Sequence, residues 1–399
     1  MLFRRNENIT RLTSPDGSIV SRAHEAAVSM YGTAIGSKCD DLVTPALLLD
    51  IEAVRRNLVF MSERMKNVPS KLRAHIKVHK SPDIARMQID AGAIGVGTAT
   101  LWEAIVMARS GINDIFIINQ VVGSEKLTAA ALLAHEVSLK VAVDDSANIT
   151  ELSKAACKAG SVIGCMVEVD TGMRRCGTAS PEEALQLAKQ VTGLPGLRLD
   201  GITGYEGHCS LEFDRVKREQ MQHEAMKYLV SVADLLRNSG LPCRIVSAAG
   251  TATWELTGNY PGVTEIQPGS YATMDNYYAR FEPRFEQTTT VLATIISRRE
   301  DRIVTDAGAK TVGADKALLK DYDYPIYRYD EEHGIFNIDS SCPLKVGDKV
   351  ELTIGYTPFA VNYFDVYHVV EKGKVTDIWP IIPRGPGHGG LLNEFKIHS

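Results

Sequence analysis

At 399 residues the chain exceeds one average domain and has room for one large barrel plus a smaller module. Hydrophobic residues at 44% and charged residues at 23% are ordinary globular values, which sets aside disordered and collagen-like classes. A net charge of −5 gives nucleic acid or an anionic membrane no electrostatic attraction, and seven cysteines without C-x-x-C spacing argue against a disulfide framework or a zinc ribbon.

The first residues, Met1-Leu2-Phe3-Arg4-Arg5-Asn6-Glu7-Asn8, have no apolar core after their arginines, so a secretory signal is not expected. No apolar run approaches the ~18 residues of a membrane span, and cytosol is the expected compartment. Residues 1–44 fit no clear pattern and are expected to form an arm joining a β domain. From residue 45 a regular alternation sets in. Short apolar runs recur at 46–50, 72–77, 94–98, 115–119, 139–144, 164–170, 201–205, 244–248 and 264–267. Segments of helical periodicity at 51–66, 81–91, 101–110 and 147–159 separate them. The repeat is about 25 residues, the length of one βα unit. Eight or nine such units favour an α/β fold with a TIM-like (β/α)8 barrel over 45–284. The segment 211–238 reads as an exposed helix without a function of its own. After residue 285 the runs 288–296, 302–306, 349–354, 367–370 and 375–379 are short and β-rich, which predicts a C-terminal β domain over 285–399.

The strongest local feature is Arg73-Ala74-His75-Ile76-Lys77-Val78-His79-Lys80. A lysine ending a barrel strand presents an amine at the face where barrel enzymes do their chemistry. An amine condenses with aldehydes, and desolvation or neighbouring cations make it nucleophilic. Taken alone, a solvated lysine at a basic strand end is the simpler reading. Two later segments shift the balance. Ser247-Ala248-Ala249-Gly250-Thr251-Ala252-Thr253 follows a late strand, and its amides and hydroxyls suit a phosphate. Gln267-Pro268-Gly269-Ser270-Tyr271, after the next strand, is placed to complete that site.

The chain resembles the alanine-racemase-like pyridoxal phosphate enzymes, in the branch of D-threonine aldolase, 3-hydroxy-D-aspartate aldolase and D-serine dehydratase. The resemblance rests on Thr44-Pro45-Ala46-Leu47, the segment 73–82, Glu168-Val169-Asp170-Thr171-Gly172-Met173-Arg174-Arg175-Cys176-Gly177 and Tyr205-Glu206-Gly207-His208. It continues through 247–253, 267–275, Asp306-Ala307-Gly308, Glu331-Glu332-His333-Gly334 and Trp379-Pro380. It implies that pyridoxal 5'-phosphate is held as a Schiff base on Lys77, with Lys80 as runner-up. Arg175 and Tyr205 are then expected beside the cofactor, and Ser247, Gly250, Thr251, Gly269, Ser270 and Tyr271 around its phosphate. A homodimer is implied as well.

Aldolases and dehydratases of that branch hold a divalent metal on a His and an Asp or Cys two residues apart, with Val-Asn shortly after. The matching stretch here is Gly355-Tyr356-Thr357-Pro358-Phe359-Ala360-Val361-Asn362, which puts Tyr356 and Pro358 where the ligands belong. The metal pair is therefore expected to be missing. Dehydration, which gains most from a Lewis acid, loses most by this. Aldol cleavage needs only a base on the β-hydroxyl, and His79, His208 and Tyr356 are the catalytic candidates, each with a purely structural alternative. His333 with Glu331 or Glu332 is an alternative metal site, though the three read more simply as substrate or structural contacts. The expected reaction is aldol cleavage of a D-β-hydroxy-α-amino acid to glycine or a similar amino acid plus an aldehyde. The alternatives are a racemase, a dehydratase or other eliminating lyase, and a cofactor carrier without turnover.

Overall fold

The computed structural model describes residues 18–313 and 317–385. It divides into two compact units. One contains residues 61–77 and 85–269, the other 18–60, 78–84 and the described part of 270–385.

The first unit is a nearly closed parallel barrel. Its strands run Lys71–Leu72, Ala74–His75, Val96–Thr98, Asp114–Ile117, Ser138–Val143, Ile163–Glu168, Leu197–Thr203, Ile245–Ala248 and Glu265–Ile266, each hydrogen-bonded in parallel to its neighbour. Lys71–Leu72 pairs with Glu265–Ile266, and Ala74–His75 pairs with Val96–Thr98. The single residue between them, Arg73, thus joins two halves of one stave and brings the ends of the sheet together. These strands are buried on both faces, as a parallel sheet wrapped by helices requires. Phe116, Ile118, Ala142 and Met166 pack as one cluster of the core.

Arg73 is 1% exposed and pairs with Asp114 at 2.7 Å and Glu265 at 2.9 Å; Lys140 adds a 3.0 Å contact to Asp114. A buried guanidinium is tolerable only with such partners. They fix the stave that leads to Lys77.

The connecting helices start where local chemistry says they should. Thr100 accepts the Glu103 amide while Glu103 turns back to the Ala99 amide, and Ser180 and Glu183 repeat the arrangement before Pro181. The segment expected as an exposed helix forms Arg215–Asn238, but Ala225, Met226, Leu229, Val232, Ala233 and Leu236 line a buried face. Its charged residues mask an apolar stripe at helical spacing.

The second unit is built on a mixed nine-stranded sheet. Its path runs Ile326–Tyr329, Gly334–Asn337, Arg302–Thr305, Thr289–Arg298, Ala46–Asp50, Val366–Glu371 and Lys374–Pro380, with Lys349–Thr353 and Leu318–Leu319 branching from Thr289–Arg298. Ala46–Asp50, expected to open the barrel, instead lies in this sheet. It pairs antiparallel with Thr289–Arg298 and parallel with Val366–Glu371. Four successive buried residues suit a central strand of either sheet, so the pattern alone does not choose the partner.

Residues 18–44 add the helix Ile19–Tyr31 and a short edge contact in which Val375 donates to Ser37 and Gly36 donates to Val375. Ala27 and Leu42 join Ala46, Leu48, Leu292, Val366, Val375 and Ile378 in one cluster. Residues 1–17 of the expected arm lie outside the described residues.

Candidate active site

Lys77 sits in the turn Ile76–Val78, directly after the strand Ala74–His75. The Pro268 carbonyl accepts the His75 amide, so this strand end is anchored beside the one that leads to Gly269. Desolvation lowers the Lys77 pKa from its ordinary value, and the positive charge of Arg175 lowers it further, against an opposing pull from Glu103. A lysine shifted this way keeps more neutral, nucleophilic amine near neutral pH.

Arg175 lies in the loop after the strand Ile163–Glu168. Its guanidinium is 3.8 Å from Glu168 and 5.8 Å from the centre of the Tyr205 ring. Glu168 also accepts a 2.6 Å hydrogen bond from Gln120. Burial raises the Glu168 pKa, while Gln120 and Arg175 oppose the rise. The loop turns because the Asp170 carboxylate accepts the Gly172 and Arg174 amides. Gly172 has φ +119°, and a Cβ there would come within 2.9 Å of the His208 ring. His208 thus occupies space that only glycine leaves. Its Nδ1 is buried without a hydrogen-bond partner among the described residues, and Nε2 is 3.8 Å from Cys209 Sγ. Burial pushes the Cys209 thiol up to about 12, so it stays protonated.

The Tyr205 ring reaches the loop that follows Ile245–Ala248: a Cβ on Gly250 would lie 3.0 Å from it. The next residue, Thr251, has a buried hydroxyl without a hydrogen-bond partner among the described residues. An orphaned hydroxyl beside a glycine cradle is what a phosphate-binding turn presents when its ligand supplies the missing partner. Ser247 differs. Its hydroxyl donates to Glu265 at 2.7 Å and accepts from Gln267 at 2.6 Å, so its bonding goes to the barrel interior. Lys77, Arg175, Tyr205, His208, Ser247, Gly250, Thr251 and Gly269 all belong to the barrel unit.

His79, Ser270, Tyr271 and Tyr356 belong to the other unit. His79 is fully buried; its Nδ1 accepts the Ser81 amide at 3.1 Å and its carbonyl accepts the Tyr367 hydroxyl at 2.8 Å. Lys80 donates to the Pro383 carbonyl at 3.0 Å. Ser270 and Tyr271 are buried in the turn Ser270–Ala272, with Tyr271 5.8 Å from Phe285. Tyr356 precedes the short helix Thr357–Ala360 and packs among Tyr277, Tyr278 and Phe359, at 6.1, 6.2 and 5.1 Å between ring centres. Pro358 falls inside that helix, and its side chain has no ligating atom. Glu332 pairs with Lys310 at 2.7 Å. Among the described residues, no three His, Cys, Asp or Glu side chains come together to hold a metal ion.

Residues 49–277 match the alanine racemase N-terminal domain, and residues 288–370 match a serine dehydratase domain. The first match spans more than half of the chain. The chain belongs to the alanine racemase N-terminal domain family. Within this family it is similar to a D-threonine aldolase of Arthrobacter sp, at 34% identity over 86% of the chain and 93% of the relative. A 3-hydroxy-D-aspartate aldolase of Paracoccus denitrificans is 32% identical over 87% of the chain and 94% of the relative. The crystal structure of a D-threonine aldolase from Filomicrobium marinum superimposes with a TM-score of 0.84 at 35% identity, covering 88% of this chain and 98% of that one. The alanine-racemase-like chain is an enzyme with pyridoxal 5'-phosphate as its cofactor. No helix among the described residues is long and apolar enough to cross a membrane.

Gln120 and Glu103 were not singled out from sequence, and Glu168 and Glu206 stand there only inside matched motifs, with no role assigned to either. Glu103 had a weak signal, since Thr100-x-x-Glu103 is a capping box. Gln120 reaches a residue distant in the chain and leaves no local pattern, and the partners of Glu168 and Glu206 are equally remote.

Proposed function

We propose that this enzyme is a lyase that cleaves and forms the Cα–Cβ bond of a D-configured β-hydroxy-α-amino acid, releasing glycine or a similar amino acid and an aldehyde. The observation that carries this reading is the likeness to aldolases acting on D-threonine and 3-hydroxy-D-aspartate over nearly the whole length of each. Lys77 is the residue that binds the cofactor, and Gly250, Thr251 and Gly269 of the same unit hold its phosphate. The cofactor supplies an electron sink for negative charge at the substrate Cα.

The protein's share is placement and proton handling. Lys77 contributes a desolvated amine whose neutral form is favoured by Arg175. Arg175 is itself held between the Glu168 carboxylate and the Tyr205 ring. Cleavage removes a proton from the β-hydroxyl, and His208, with its unpartnered Nδ1, is the base we assign to it. Tyr356 and Pro358 stand where relatives are expected to place metal ligands and do not fit a divalent ion, so no step is routed through a metal.

The reading also takes the chain to be a cytoplasmic homodimer; a sedimentation mass of a single chain would remove the dimer. Incubation with D-threonine and D-3-hydroxyaspartate tests the reaction. Aldehyde release, unchanged by a chelator, is expected. A keto acid with ammonia, or the opposite enantiomer, would replace this reading with dehydration or racemisation. A rate lost to chelator and restored by manganese would return the metal to the mechanism.

A further inference from the structure

Glu206 follows Tyr205 just past the strand Leu197–Thr203, and it is fully buried. Three donors converge on its carboxylate. Oε2 accepts the Ala249 amide at 3.1 Å, while Oε1 accepts the Thr253 and Thr257 hydroxyls, both at 2.6 Å. Hydrogen bonds to a carboxylate are among the stronger ones a protein makes, and removing this acceptor would orphan three buried donors at once.

The place where these bonds act is specific. Ala249 has φ +70°, a left-handed conformation that residues with a Cβ seldom adopt. It is followed by Gly250, against which the Tyr205 ring packs, and by Thr251, whose buried hydroxyl has no partner among the described residues. Thr253, at the other end of the loop, leads into the helix Trp254–Gly258 that carries Thr257. Adjacent residues of one strand end therefore meet the same loop: Tyr205 at Gly250, and Glu206 at Ala249, Thr253 and Thr257. The Ala249 amide is spent on Glu206 and is not offered to a ligand.

We infer that Glu206 is a positioning residue for the phosphate loop. Both of its carboxylate oxygens are taken by protein donors, and it locks Ala249 and Thr253 so that Gly250 and Thr251 keep the shape that receives a phosphate monoester. This rests on the reading that the Ser247–Thr253 turn holds the phosphate of pyridoxal 5'-phosphate. The positioning role goes beyond that reading, because it makes affinity for the phosphate depend on a buried residue outside the loop.

The test compares pyridoxal 5'-phosphate with pyridoxal, which lacks the phosphate, by equilibrium absorbance titration of the cofactor-stripped enzyme. Glu206→Gln keeps size and shape but sets an amide N–H₂ against a backbone N–H or against the two hydroxyls. It is expected to weaken pyridoxal 5'-phosphate binding on the order of tenfold or more, the scale of one buried donor left unpaired. Pyridoxal binding is expected to change by less than about twofold, the wild-type ratio thus collapsing in the variant. Thr253→Ala removes one of the three donors and tests the same claim should Glu206→Gln fail to fold. Its expected loss is smaller, roughly threefold, and again confined to the phosphorylated form.

Equal losses for both compounds, or no loss for either, would overturn the inference while leaving the cofactor reading intact. A wild-type enzyme that binds the two compounds equally would instead fail the cofactor reading itself, and the inference with it. The ³¹P resonance of bound cofactor supplies a readout independent of turnover, and it is expected to shift toward the free position in Glu206→Gln.

Discussion

At the scale of single residues, the account turns on how two ionisable groups are held away from their ordinary behaviour. Lys77 owes its lowered pKa first to desolvation and then to Arg175. Removing the Arg175 charge lifts one cause and leaves the larger one. In Arg175→Ala the pH midpoint for colour formation between apo-enzyme and pyridoxal 5'-phosphate is therefore expected to move upward, but to stay below an ordinary lysine. An unmoved or lowered midpoint would show that Arg175 does not act on Lys77.

Asp83 is a second case. Burial, with the Asp377 carboxylate adding to it, raises its pKa to about 7 from 3.8, and His24 lies 3.5 Å away. Between those two pH values the folded chain holds a proton that the unfolded chain has lost. Stability then falls as pH rises through that window, by at most about 1.4 kcal/mol per pH unit. Asp83→Asn removes this slope, so denaturant midpoints of wild type and variant are expected to diverge from pH 4.5 to 7 in favour of the variant. Parallel curves would contradict the assignment. Lys77 stands out in the sequence because it lies in a basic run at the end of an apolar one, and the structure puts it in the turn directly after the strand Ala74–His75. The part played by Glu206 does not stand out, because its three donors come from residues 43 to 51 positions away.

At the scale of elements, the barrel staves approach closely enough for single atoms to matter. A Cβ on Gly201 would lie 1.9 Å from the Ile245 carbonyl oxygen of the neighbouring strand, and backbone in a buried sheet has nowhere to retreat. Gly201→Ala is expected to cost about 3 kcal/mol or more. Gly193, at the end of the helix Pro181–Gly193, has open space around its Cβ position, so Gly193→Ala is expected to be neutral or to stabilise by about 0.5–1 kcal/mol. Matching losses in both variants, read from urea midpoints, would show that the strand spacing is not the cause.

The alternation of apolar runs and helical segments in the sequence makes most of these elements legible. Ala46–Asp50 escaped because Ala-Leu-Leu-Leu-Asp is apolar on both faces and says nothing about which sheet receives it. The buried face of Arg215–Asn238 escaped because Lys, Arg, Glu and Gln dominate its composition while Met226, Leu229, Val232 and Leu236 hold the stripe.

For the whole molecule, one line of contacts runs through the barrel unit: Lys77 feels Arg175, Arg175 lies over Tyr205, Tyr205 packs on Gly250, and Gly250 precedes the orphaned Thr251 hydroxyl. The desolvated amine at one end and the loop of Gly250 and Thr251 at the other are the two features on which the proposed cofactor site rests. Both lie in motifs that the sequence shows, whereas the way Glu168 and Gln120 steady Arg175 between them needed the folded chain.

The most direct test is borohydride reduction of the holoenzyme, followed by peptide mass spectrometry. The account predicts a phosphopyridoxyl group on the ε-nitrogen of Lys77 and on no other lysine. A label on Lys80 or elsewhere, or no label on any peptide, would contradict it.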